Sequence, residues 1–243
     1  MRLIGHRGAR NEAPENTLGG FKHIVALGLK AVEFDVRLLQ DQQLAVIHDD
    51  NFKRTSGLDQ TIALSSSYHL AHTDNRVGWE HWPQPEPTPL LSEVLALITH
   101  FEHIEVEIKA VNDEQQAQLI ARQLHQALDG WQDRVVLTSF DLKVLEALKS
   151  QNSPFRRGLL VELPLGDAII PIAKQLGCSR IGLRDSLTTQ ELIEKIHFEQ
   201  LQCSVWTVNH IERARQLASW KVDGLITDVP SQMLAAHIEG CFL

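Results

Sequence analysis

Hydrophobic residues in this chain fall into short apolar runs that alternate with amphipathic stretches of helical period. Leu3-Ile4-Gly5-His6 reads as a strand, followed by a loop containing Pro14. A helix through Phe21, Ile24, Val25 and Leu27 then starts at an Asn16 or Thr17 cap and stops at Gly28. Val32–Arg37 is the next strand, and Leu44–Asp49 folds back beside it as a hairpin. Period is lost from Asn51 to Pro89 and returns with a helix at Leu90–Leu97. From there strands and helices alternate. The strands are Ile104–Lys109, Arg134–Phe140, Gly158–Glu162, Arg180–Leu183, Cys203–Val208 and Gly224–Thr227. The helices are Glu114–Leu128, Leu142–Leu148, Ala168–Leu176, Gln190–Phe198, Ile211–Trp220 and Ser231–His237.

Leaving out the hairpin's return strand, the strands number eight. That count favours a TIM (β/α)8 barrel over an open doubly wound sheet. No GxGxxG follows a strand and no P-loop is present, so nucleotide-binding folds lose support. The chain reads as one domain, residues 1–243, with an insertion or lid at about 51–89 between barrel strands two and three. A structureless stretch of that length is more often functional than a mere connector.

One strand breaks the hydrophobic pattern. Ala31-Val32-Glu33-Phe34-Asp35-Val36-Arg37 places two carboxylates on one face, because side chains two apart share a face. Buried together they repel, so a cation sits between them, unless Arg37 neutralises them or the strand is an exposed edge with solvated acids. Barrel enzymes carry their chemistry at the C-terminal strand ends. The unusual polar residues fall there: His6-Arg7, Glu33 and Asp35, His48, Glu107 and Lys109. Three carboxylates suit a hard cation, two histidines suit proton transfer, and Arg and Lys suit an anion. Oxygen ligands without cysteine point to Mg²⁺ or Ca²⁺ rather than zinc. A metal beside cationic side chains is what phosphoryl transfer requires.

Composition narrows this further. The chain is 43% hydrophobic and carries a formal charge of −8, which argues against a nucleic-acid surface while allowing a local cationic pocket. Cys178, Cys203 and Cys241 are few and scattered, as expected of reduced thiols in the cytoplasm. No apolar run reaches membrane-spanning length, so no stable membrane association is expected. Met1-Arg2 leads straight into the first strand, leaving no room for a signal peptide.

Several motifs together resemble the glycerophosphodiester phosphodiesterase family. They are His6-Arg7-Gly8, Pro14-Glu15-Asn16-Thr17, Glu33-Phe34-Asp35-Val36, His48-Asp49 and Arg54-Thr55, then Glu107-Ile108-Lys109, Trp206-Thr207-Val208-Asn209 and Asp223-Gly224-Leu225-Ile226-Thr227-Asp228. They span nearly the whole chain in the family's order. The resemblance implies a TIM barrel with its insertion between strands two and three. It also implies hydrolysis of small-molecule glycerophosphodiesters, such as deacylated phospholipids, to sn-glycerol 3-phosphate and an alcohol. It implies that Glu33, Asp35 and Glu107 hold a divalent metal, that His6 and His48 act as general acid and base, and that Arg7 and Lys109 contact phosphate. Trp206 matches a position that could wall the glycerol pocket. The closest likeness is to cytoplasmic members. Neither the alcohol, the metal nor an oligomeric state follows from it.

The chain also departs from the family. Glu105 stands where Asn is common, Gln40-Asp41-Gln42 replaces a Lys-Asp-Gly turn, and Arg184-Asp185 ends strand six. On strand spacing Glu105 lies one layer below Glu107, too deep to bind the metal. It is expected to pair with a cation or share a proton, its pKa raised by burial among acids. Glu15 and Asn16 are expected to shape the first loop and cap its helix. Trp79 and Trp82 either cover the site or pack the Pro-rich segment onto the barrel. The pairs His69/His72 and His100/His103 have helical metal-ligand spacing but no further ligands nearby. Two other functions compete: a related barrel phospholipase acting on intact or lyso-lipids, and a catalytically silent binding barrel.

Overall fold

The computed structural model describes residues 1–238. The elements, in chain order, are β1 (Arg2–His6), α1 (Leu18–Ala26), β2 (Ala31–Leu38), β3 (Leu44–Val46), the single turns α2 (Lys53–Ser56) and α3 (Ser67–Leu70), and α4 (Leu91–Leu97). They continue with β4 (His103–Ile108), α5 (Glu114–Ala127), β5 (Val135–Ser139), α6 (Leu142–Ser150), β6 (Arg156–Val161), α7 (Ile169–Gln175), β7 (Arg180–Arg184), α8 (Gln190–Phe198), β8 (Gln202–Trp206), α9 (Ile211–Ser219), β9 (Gly224–Thr227) and α10 (Pro230–Ile238).

The sheet runs β1-β9-β8-β7-β6-β5-β4-β2, and β1 pairs with β2 to close it. All eight of these strands run parallel, so the molecule is a TIM barrel. The ninth strand, β3, pairs antiparallel with β2, as the hairpin pattern predicts, and its other edge bridges Leu90 through Ala45. Closure leaves strands covered on both faces, which explains why all six residues of β4 are buried although three of them are polar.

Helix starts are chemically specified. Thr17 Oγ1 accepts from Gly20 N, and Asp113, Asp141 and Thr189 cap α5, α6 and α8 in the same manner. Most of the core lies between strands and helices, where Phe21 meets Phe34 edge to face. A smaller cluster of Leu39, Ala45, Ile47, Phe52, Ile62 and Leu70 lies under the segment after β3.

Residues 51–89 are therefore not structureless. Besides that cluster, Asn75 holds them together. Its Oδ1 accepts from Thr55 and Ser56, and its Nδ2 donates to Thr88 Oγ1 and to the Glu86 carbonyl. Trp82 Nε1 donates to Glu86 Oε1, whose other oxygen accepts from Gly19 N at the start of α1. The Pro-rich part thus packs on the barrel's flank, against α1, and neither Trp79 nor Trp82 lines the central pocket.

Two expectations about strand ends change. The return strand stops at Val46, with Ile47 N still donating to the Asp35 carbonyl, and His48 leaves on a turn. In turn, β4 starts at His103, so His100 and His103 do not share a helix. Cys178 and Cys203 are free and buried, while Cys241 lies outside the described residues. Among the described residues no helix is long and apolar enough to cross a membrane.

Candidate active site

The C-terminal ends of β1, β2 and β4 bring the polar residues together. After His6 the chain turns through two left-handed residues, Arg7 at φ 51° and Gly8 at φ 88°. Gly5 permits this fold-back, since a Cβ there would lie 2.3 Å from the Gly8 carbonyl oxygen. A non-glycine residue in that region is strained, and such strain collects at functional sites. Its result is that Arg7 lies over β2, with its amide donating to the Glu33 carbonyl and its Nε 3.2 Å from Asp35 Oδ2.

Glu33, Asp35 and Glu107 each offer an oxygen within 4.8 Å of the others. The register explains the convergence: Glu33 pairs with Glu105 and Asp35 with Glu107 across parallel neighbours, so all four side chains leave on the inner face. Asp35 is fully buried, and its Oδ1 has no hydrogen bond, although Lys109 Nζ lies 3.4 Å away. Lys109 also pairs with Glu107. The acids divide sharply. Burial and the charges of Asp35 and Glu107 push the Glu33 carboxyl well above its usual range. Burial and Asp35 lift Glu107 to about 7. Burial opposes ionisation of Asp35 too, but Arg7 and Lys109 beside it win and hold its carboxyl far below the ordinary value. Three buried carboxylates that repel one another could hold a divalent cation, and the all-oxygen donors suit a hard one.

Two histidines come from the strands on one edge of β2, His6 from the end of β1 and His48 from the turn after β3. His6 Nδ1 lies 2.6 Å from Asp228 Oδ1, which leaves Nε2 toward the carboxylates, 3.8 Å from Glu33 Oε2. Asp228 is itself fixed by Asn209, which donates to Oδ2 and accepts from its amide. His48 Nδ1 lies 2.8 Å from Asp49 Oδ1, and its carbonyl accepts from Arg37 Nε. Arg37 therefore holds the His48 turn rather than bridging Glu33 and Asp35. Burial lowers the pKa of both imidazoles, against their aspartate partners, so both are neutral near pH 7.

A salt-bridge hub joins the two histidine arms. Glu15 accepts from Arg7 Nη1 and Arg10 Nε, and from both terminal nitrogens of Arg54, whose Nε reaches Asp49. Burial opposes its ionisation, yet Arg54 and Arg7 bring its pKa down to about 2. The expectation for Pro14-Glu15-Asn16-Thr17 needs correcting. Thr17 caps α1, whereas Asn16, at φ 54°, turns inward and its Nδ2 donates to Asp35 Oδ2 at 2.9 Å.

Below this cluster Glu105 accepts from His103 Nε2 and Arg180 Nη1 at Oε1. It does pair with a cation, but its pKa moves down rather than up: burial is outweighed by Arg180 and His103. Trp206 walls the central pocket with Phe140, in an edge-to-face pair 5.4 Å apart, and donates to the Gly182 carbonyl. His69 bonds locally to Ser66 and His72 packs on Tyr68, so that pair forms no metal site. Asp228 and Asn209 sat in a family motif, but nothing in the sequence tied them to His6 across more than 200 residues; their common signal was placement after β9 and β8.

The sequence profile of the glycerophosphoryl diester phosphodiesterase family matches residues 6–232. The chain belongs to that family. It is a phosphodiesterase by that membership. It is 26% identical over 243 residues to a glycerophosphodiester phosphodiesterase of Bacillus altitudinis, covering 98% of each chain. Its fold is similar to that of a protein from Silicibacter pomeroyi described as a putative glycerophosphoryl diester phosphodiesterase, with a TM-score of 0.88, 24% identity and coverage of 99% and 94%. A phosphodiesterase of Oleispira antarctica, solved with its product sn-glycerol-3-phosphate, is also similar, with a TM-score of 0.88, 23% identity and coverage of 98% and 97%.

Proposed function

We propose that this family member hydrolyses glycerophosphodiesters to sn-glycerol 3-phosphate and an alcohol, with a divalent cation, Mg²⁺ or Ca²⁺, held by Glu33, Asp35 and Glu107. The observation that carries the reading is the convergence of those three buried carboxylates, within 4.8 Å of one another, beside two aspartate-oriented histidines. Once bound, the cation would polarise a phosphoryl oxygen as a Lewis acid.

The remaining work falls to the chain. Arg7 and Lys109 keep their charge, since the acids beside them raise both pKa values against burial, and they are placed to neutralise the phosphate's non-bridging oxygens. His6 and His48, each held at Nδ1 by an aspartate, suit the two proton transfers of the displacement. One takes a proton from the attacking hydroxyl, and the other donates one to the leaving alkoxide. Neutral imidazoles serve as bases directly, and Asp228 and Asp49 stabilise the imidazolium that each would form. Two buried free thiols support a cytoplasmic enzyme, acting as a single catalytic unit with 51–89 as its insertion.

The test is a panel of glycerophosphodiesters with coupled detection of sn-glycerol 3-phosphate. Turnover should vanish in chelator and return with Mg²⁺ or Ca²⁺. Full activity in excess chelator, in protein shown free of metal, would remove the metal from the scheme; no glycerol 3-phosphate from any substrate would remove the scheme itself.

A further inference from the structure

Arg184, where the chain departs from its family at the end of β7, takes no part in the carboxylate and histidine cluster. In the closed ring β7 lies four strands from β2 in either direction, so it faces the carboxylates from across the barrel. Strand alternation puts Arg180, Gly182 and Arg184 on the inner face. The contacts of the lower two agree. Arg180 reaches Glu105, and a Cβ on Gly182 would meet Leu160, Ser204 and Trp206. Arg184 pairs in register with Trp206, which walls the central pocket, and is itself exposed above it.

Other cations at the mouth are committed: Arg7, Arg10 and Arg54 all hold Glu15, and Lys109 pairs with Glu107. Arg184 differs. Among the described residues its guanidinium makes no hydrogen bond or ion pair. Its chain neighbour Asp185 is turned to Arg213 Nε at 2.7 Å, and Glu162, just past the end of β6, does not bridge to it.

Arg180 is a ruler for the reach of such a side chain. From the same strand and face it spans the barrel to Glu105 on β4 at 3.0 Å. Arg184 stands four residues above Arg180, about 13 Å, whereas Glu107 stands two above Glu105, about 6.5 Å. The free guanidinium therefore sweeps a level about 6.5 Å beyond the metal-type carboxylates. The far end of a diester held at its phosphorus would project there. A planar guanidinium grips a carboxylate or phosphate at two points, which a neutral group cannot imitate. The glycerol half offers only hydroxyls, so an anion at that level belongs to the alcohol half.

We propose that Arg184 reads an anion, a carboxylate or a second phosphate, on the alcohol half of the diester. This rests on the phosphodiesterase reading above and names the substrate class within it.

The experiment measures kcat/KM, with Mg²⁺ present, for two matched pairs of esters. Glycerophosphoserine differs from glycerophosphoethanolamine by one carboxylate, and bis(glycerophospho)glycerol differs from glycerophosphoglycerol by a second phosphodiester. Both members of the first pair carry the ammonium, so any pull of Glu162 on it cancels in the ratio. At low salt the wild type should prefer the anionic member of at least one pair by about tenfold, as a charge-assisted hydrogen bond allows. The pair that responds tells carboxylate from phosphate. Added salt should shrink the preference, because the guanidinium is exposed. Arg184→Gln should bring the ratio to within about twofold of parity, and Arg184→Lys should keep part of it, having the charge without the fork. A merely structural role would lower both members of a pair equally and leave the ratio standing. That result overturns the proposal, as does a wild type without preference in either pair. If all four esters release glycerol 3-phosphate at equal kcat/KM, the function stands and only the assignment of Arg184 falls. If none releases it, the function itself fails and this inference with it.

Discussion

Two clusters of buried charge sit one layer apart in the same barrel, and they are built on opposite principles. In the lower one, Glu105 faces Arg180 and His103, Arg180 Nη2 donates to Gln202, and the acid's pKa is driven down. In the upper one, two residues along the same strand, Glu107 shares its space with Glu33 and Asp35, and its pKa rises to about 7. Both lie deep in protein, so burial alone does not separate them. Charge balance does: a paired charge stabilises a fold only when its partner is fixed, and crowded like charges store repulsion. The lower cluster is arranged as structure. The upper one carries a cost that an arriving cation would relieve.

The largest predicted effect falls on the upper cluster. Glu107→Gln should abolish turnover and lose most metal affinity by calorimetric titration, while Glu105→Gln keeps metal affinity within about tenfold. The reverse ranking would show that the two layers have been assigned the wrong way round. Next come the histidines. His6→Ala and His48→Ala should each slow the hydrolysis of an unactivated diester roughly 10²–10⁴-fold with the fold intact. A variant that keeps more than a tenth of the wild-type rate would take its histidine out of proton transfer.

Stability should respond in the opposite sense. Arg180→Met strands Glu105 without its cation and should lose about 3–5 kcal/mol in urea unfolding. Acidification gives a further contrast through Glu15, whose partners are all cations. Its folded pKa of about 2 lies below the ordinary 4.5. Its contribution, at most about 3 kcal/mol, is therefore complete above 4.5 and is lost as pH falls toward 2. The stability gap between wild type and Glu15→Gln should close over that window, and a gap constant with pH would mean that Glu15 acts by shape alone. The smallest effect is also the most diagnostic. In chelator at neutral pH, Glu107→Gln should unfold no more easily than wild type and gain about 0.5–2 kcal/mol, since it removes one of three crowded acids. A loss there would show the upper cluster to be balanced after all, with Lys109 a sufficient partner.

The linear chain specified much of this by itself. Strand and helix periods gave the eight-fold alternation, and the placement of Glu33, Asp35, Glu107 and Lys109 on one face followed from the two-residue repeat of a strand. Those are local properties, set by backbone geometry within a few residues. Partner choice is not local. That Asp228 would orient His6, that Asn16 would leave capping to Thr17 and turn to Asp35, and that Arg37 would hold the His48 turn depended on loops meeting over a closed barrel. The sign of the Glu105 shift shows the limit most directly. From the sequence it was an acid among acids, with its pKa expected to rise. Barrel closure brought Arg180, 75 residues away, to 3.0 Å and reversed the balance, because the field at a buried group is set by whichever charges the fold places beside it.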